Sequence, residues 1–196
     1  MVQFLFSKQR EMEGIIWTFA HLPKIRKMSS DVILPPFSRS LSRRLLALHS
    51  MRSRWEGRIL VPAEMKRAFV KEFSGICRVN EYRKNVKSVR RQWRLIEREF
   101  FKQVRLLSIA PAAKTYRCYV TFYGGGGSFG RKREIYVRLN PSIPNDLRYA
   151  NYTIAHEIIH LLVEPTARKK NLSPLAREHL VDGIIERPPL RRLFTK

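Results

Sequence analysis

Between residues 80 and 107 the apolar residues Val86, Val89, Trp93, Ile96, Phe100, Val104 and Leu107 recur at spacings of three and four. That is the period of a helix with one buried stripe, so a long amphipathic helix is expected here. Its other face carries Arg83, Lys84, Lys87, Arg90, Arg91, Arg94, Arg98 and Lys102. A shorter helix, Pro62 to Phe73, precedes it and is closed by Ser74-Gly75. Beyond the long helix the period changes. Tyr116 to Tyr123 is rich in aromatic and β-branched residues and Glu134 to Leu139 alternates, so both read as strands. Gly124 to Gly127 and Gly130 supply a flexible reversal between them, which predicts a small antiparallel hairpin.

The last third is helical again. Asn151 to Val163 is apolar nearly all round, with Asn145 or Asp146 available as its cap and Pro165 as its end. After the basic loop Arg168-Lys169-Lys170-Asn171, Ser173-Pro174 has the form of an N-cap and first helical residue. The helix it opens runs to a stop at Pro188-Pro189. The first 60 residues are less regular: Ser29-Ser30, Pro35-Pro36 and Ser38 to Ser42 read as loop, and Leu41 to Met51 as a short basic helix. The expectation is an α+β fold, with a basic, partly helical or disordered extension over 1–60, a domain over 61–196 and a tail over 188–196.

Composition narrows the setting. With 44% hydrophobic residues in 196, the chain can bury a core. Ile15 to Leu22 is too short an apolar run to span a bilayer, and the first residues lack the order of a secretory signal, so a cytoplasmic protein without a membrane span is expected. Cys77 and Cys118 alone form neither a disulfide framework nor a Cys-x-x-Cys metal site, and are expected as reduced core residues.

Charge is a stronger signal. The net charge of +23 is spread along the chain and is weakest over 151–196. Such an excess favours polyanions, and non-specific nucleic-acid affinity at low salt is expected; the alternative is a surface made basic for solubility alone. No zinc-finger or RNP motif offers sequence-specific recognition. The glycine run is not a phosphate loop, because no Gly-Lys-Ser/Thr follows and the next element is a strand. Beside it, Arg131-Lys132-Arg133 would keep a hairpin tip soluble or touch nucleic acid.

One constellation carries its own chemistry. His156 and His160 lie four residues apart, which puts both imidazoles on one helix face, one turn from each other, where they can share a metal. Glu157 follows the first histidine and can serve as general base to a metal-held water. The bland alternative is a helix with two satisfied histidines. Ile154, Ala155, Ile158, Ile159, Leu161, Leu162 and Val163 surround them, and burying such polar groups without partners is costly. On the next helix Glu178 and Asp182 are again four apart and suit a metal-binding carboxylate and one that orients a ligand imidazole.

A His-Glu-x-x-His helix, 17 intervening residues and a Glu-x-x-x-Asp helix resemble the gluzincin metallopeptidases, over roughly residues 115 to 187. In scale the chain is closest to the minigluzincins. The resemblance implies that His156, His160 and Glu178 bind Zn²⁺, that Glu157 polarises the water and that Asp182 hydrogen-bonds a ligand histidine. His179 is the alternative third ligand, although a turn of about 100° per residue lets only one of the two face the metal. By the same resemblance the long helix backs the sheet, and the strand Ile135, Tyr136, Val137, Arg138, Leu139 is a cleft edge that pairs with peptide or protein substrate. The tail after Pro189 would cover the site and keep it latent. No Tyr or His is evident after the second ligand helix to stabilise the oxyanion; Arg177, Tyr149 and Tyr152 are candidates. The function implied is a zinc endopeptidase. The alternative is a basic nucleic-acid-binding protein with structural zinc or an inactive peptidase-like fold.

Overall fold

The computed structural model describes residues 1–28, 31–49, 59, 61–107, 115–130 and 133–194. In chain order its elements are β1 (Val2–Leu5), α1 (Lys8–Met28), α2 (Arg39–Ala47), α3 (Ala63–Ile76), α4 (Val79–Leu106), β2 (Tyr116–Thr121), β3 (Gly127–Phe129), β4 (Glu134–Arg138), α5 (Pro144–Arg148), α6 (Ala150–Lys169), α7 (Pro174–Ile185) and α8 (Pro188–Arg191). This is the expected α+β class: helices around one small sheet. Among the described residues no helix is long and apolar enough to cross a membrane.

Helix α4 behaves as its periodicity predicts. Tyr82, Val86, Val89, Trp93, Phe100 and Val104 are buried, and all but Tyr82 share a core with the sheet, α6, α7 and α8. Each such side chain stabilises the fold by roughly 1.5–3 kcal/mol on burial. That apolar stripe makes α4 the backing helix.

The sheet is mixed, not a simple antiparallel hairpin. Its order is β1-β2-β4-β3; β1 and β4 both run parallel to β2, and only β3 is antiparallel, to β4. Cys118 lies opposite Ile135 and Val120 opposite Val137. The chain turns back after β2, at Gly124 with φ +101°, and runs along the outer side of β4 as β3. A second turn then brings β4 into the interior position. Burial explains the arrangement. Side chains on both faces of β2 and β4 are buried, which suits interior strands and leaves the short glycine-bearing β3 as an edge.

The described part of the first 60 residues packs with the rest of the chain. Val2 and Phe4 of β1 point into the core and pair β1 with β2, and α1 and α2 build a second core with α3 around Ile15, Phe19, Leu45, Phe69 and Phe73. Because α3 packs with the N-terminal helices, the division expected at residue 60 is not where the packing divides. Arg39–Ala47 supplies the short basic helix; Ser29-Ser30, Met51, Arg131-Lys132 and Thr195-Lys196 lie outside the described residues.

Two expected boundaries also move. Pro165 lies inside α6, which continues to Lys169. Its ring is on the exposed face, where solvent can reach the carbonyl left without a donor, while buried Val163 and Ala167 hold the helix on course. Pro188-Pro189 ends α7 but also opens α8, which buries Leu190 completely. The tail is docked through that residue.

Candidate metal centre

Helix α6 crosses the core with Ile154, Ile158, Ile159 and Leu162 buried and turns His156, Glu157 and His160 towards α7 and β3. Expected caps do not start it: Tyr149 is the N-cap and gives no side-chain bond, because Asp146 sits in α5 and is engaged by Arg138. Helix α7 does begin as expected. Ser173 Oγ accepts from Ala176 N at 3.2 Å, and Pro174 occupies the first turn. Val181, Ile184 and Ile185 join the core, and Arg177 donates to Glu164 of α6 at 3.2 Å. These contacts set α7 against α6 with Glu178 facing the histidines.

Glu178 Oε2 lies 3.2 Å from His160 Nε2 and 3.7 Å from His156 Nε2. One donor atom from each of the three residues lies within 4.8 Å of the others. Two ligands about 2.0–2.1 Å from a tetrahedral ion are about 3.3 Å apart, so a cation fits among these three with small movements. The imidazoles meet edge to face, with centroids 4.7 Å apart. His160 and Glu157 are buried, whereas the Glu178 and Asp182 side chains are 43% and 51% exposed, so the cluster opens to solvent on the α7 side. His179 is exposed on the neighbouring face and outside the cluster.

Asp182 is close but not behind the ring. Its Oδ1 lies 3.2 Å from His156 Nε2, the same nitrogen that faces Glu178, while Glu157 Oε1 is 3.7 Å from Nδ1. Orienting the imidazole from behind requires the nitrogen opposite the metal. With this ring orientation Asp182 is therefore a further oxygen beside the His156 nitrogen that faces Glu178. Burial works against protonation of His156, but its hydrogen bond to Glu157 and the charges of Glu157, Glu178 and Asp182 outweigh it and raise the pKa above the ordinary value. Such surroundings favour a positive charge. Burial, and then the Glu157 charge, push the Cys118 thiol far up, consistent with an inert core thiol; Cys77 is half-buried, and neither is paired.

The strand expected as the cleft edge does not occupy it. β4 is hydrogen-bonded on both sides, so Ile135, Tyr136, Val137, Arg138 and Leu139 offer no free edge, and Ile135, Val137 and Leu139 are core residues. Arg138 is a buried tie: it pairs with Asp146 at 2.9 Å and Asp31 at 2.6 Å and donates to the Gly124 carbonyl. β3 is the outer strand beside the site. A Cβ on Gly127 would meet Glu157 Oε1, and Phe129 stacks on the His160 ring at 4.9 Å. Gly127, Phe129 and Thr153 are site neighbours not evident from the sequence. The glycine run was their one signal, and it reads equally well as a loop.

Of the three oxyanion candidates, Arg177 is held by Glu164 and the Leu172 carbonyl, and Tyr149 is exposed with Arg148 over its ring. Tyr152 stacks on His156 with centroids 6.1 Å apart, and Phe194 meets Tyr152 edge-on at 5.7 Å. Burial, and then the charges of Asp182 and Glu186, raise the Tyr152 pKa, so its hydroxyl stays protonated at neutral pH. No family model matches this chain, and neither does any curated protein or solved structure.

Proposed function

We propose that the protein is a zinc-dependent endopeptidase of a reducing, cytoplasmic setting. The observation that supports this most directly is the convergence of His156, His160 and Glu178 donor atoms within 4.8 Å, with the buried carboxylate of Glu157 beside them. His156, His160 and Glu178 would hold the ion, which when bound would lend Lewis acidity to a peptide carbonyl and acidity to a water. Glu157 takes the water proton and returns it to the leaving amine. Tyr152 and Tyr149 remain as hydroxyl donors for the developing oxyanion. The outer side of β3, in place of β4, would receive an extended peptide by strand addition. Phe194 reaches Tyr152, so the tail is in position to restrict access from that side.

Glu157→Gln tests this reading. It should abolish casein cleavage while zinc content stays at one ion per chain. A wild-type protein that binds zinc and never cleaves peptide, even with the tail removed, would defeat it. The 3.2 Å approach of Asp182 to His156 favours a second reading, a structural site in which Asp182 moves in as a fourth ligand. Equal loss of zinc from Asp182→Ala and Glu178→Ala would support that one.

A further inference from the structure

We infer that the outward face of α4 is a binding surface for the phosphate backbone of double-stranded DNA, independent of any metal. At about 100° per residue, the basic residues of this helix, including Arg105, fall within roughly 120° of its circumference. All are exposed, and in that arc the other residues are only Asn80 and buried Phe101. From Arg83 to Arg105 the row extends about 33 Å at 1.5 Å per residue, close to one turn of B-form DNA.

Few local carboxylates neutralise this row. Lys102 pairs with Glu99 at 3.7 Å, and Arg90 donates to the Phe4 carbonyl at 3.1 Å. Among the described residues no carboxylate lies within ion-pair distance of Arg83, Lys87, Arg91, Arg94 or Arg98. A surface basic only for solubility would intersperse acidic residues, as small soluble domains do. Glu81, Glu97 and Glu99 all fall outside the arc.

The chemistry of the face selects the occupant. An anionic membrane would also attract this row electrostatically, but firm attachment adds an inserted apolar face, and the stripe of α4 is committed to the core, leaving only Leu95 and Leu106 exposed beside the row. Single strands need aromatic rings to stack on bases, and Trp93, Phe100 and Phe101 are buried. A long, arginine-rich helix face suits phosphates lining the wide major groove of B-form DNA; the deep, narrow major groove of RNA duplexes admits no helix. Nothing on the face reads bases, so binding is sequence-independent.

The test uses the full chain with chelator present and a fluorescent random-sequence DNA duplex of about two helical turns. Anisotropy across a salt series gives the affinity and its salt slope. Arg91→Gln/Arg94→Gln/Arg98→Gln should weaken binding on the order of a hundredfold at about 100 mM salt and reduce the slope by about three. Lys66→Gln/Arg67→Gln/Lys71→Gln on α3 removes the same charge and should change affinity by less than about fivefold. In the wild type the duplex should protect Lys84, Lys87 and Lys102 from amine acetylation, leaving Lys66 and Lys71 labelled, a readout that does not depend on the variants folding. Equal loss in the two variants, the reverse protection pattern, or tighter binding to single strands overturns the proposal. So does binding to phosphatidylserine vesicles that needs these arginines when duplex binding does not.

Discussion

Gly127 of the outer strand and Glu157 of the helix beneath it approach so closely that a methyl group on Gly127 would lie 2.5 Å from Glu157 Oε1. The same methyl would lie 2.6 Å from Thr153 Cγ2, one turn earlier on α6. Both neighbours are side-chain atoms: the Glu157 carboxylate can swing aside, whereas the β-branched Thr153 yields only by changing its rotamer. On the proposed function, Gly127→Ala should keep its zinc yet lose about a hundredfold in kcat/KM, the scale of a one-ångström displacement of a reacting group. Zinc analysis beside peptide kinetics checks this. Unchanged kinetics would mean that Glu157 does not act from this position.

Ligand identity separates on α7. Glu178→Ala should lose zinc, since Glu178 Oε2 faces both histidines, whereas His179→Ala should retain it. Equilibrium dialysis with zinc decides between them. The opposite pattern would require α7 to turn by about 100°.

Buried Glu11 should make stability fall with pH. Its Oε1 accepts from Phe122 N at 3.0 Å and Tyr123 N at 3.2 Å, and the buried Tyr82 hydroxyl lies beside the carboxylate. Burial raises its pKa from 4.5 to about 7, against the lowering effect of those backbone bonds and of the Tyr82 hydroxyl. Between those values the folded state holds a proton that the unfolded chain releases, so this group's contribution falls as pH rises and levels off above about 7. The total is on the order of 3 kcal/mol. Urea unfolding of Glu11→Gln against wild type should show a difference near zero at pH about 4.5 that grows in favour of the variant towards pH 8. A constant difference would count against the raised pKa.

Arg138 is expected to matter for stability. Replacing it with Ala leaves Asp146, with 7% of its side chain exposed, as an uncompensated buried charge and should cost about 3–5 kcal/mol in urea unfolding. Adding Asp146→Asn should recover more than half of that loss. A cost below about 1 kcal/mol, the size of an exposed pair, would show that the pair is solvated.

In the tail, fold and access can be separated. Leu190→Ala removes a fully buried side chain and should cost about 2–5 kcal/mol. Phe194→Ala should cost less and, if the tail restricts access beside Tyr152, raise peptidase activity several-fold. Thermal melts and initial rates distinguish the two effects.

Local periodicity determined a good part of this molecule. The stripe from Val86 to Val104, the Ser173-Pro174 start of α7 and the one-turn spacings of His156 to His160 and Glu178 to Asp182 depend only on helix geometry, which a few consecutive residues specify. Tertiary structure decided the rest. A strand reads the same in a parallel or an antiparallel pair. β4 is interior because β3 lies on one side and β2 on the other, with β1 from the start of the chain completing the sheet, and that burial commits Arg138 to Asp31 and Asp146. Likewise a glycine run reads as a loop until Gly127 is brought against Glu157, some 30 residues on in the chain. These relationships join distant segments, and what fixes them is which surfaces must be buried together; no local pattern records that.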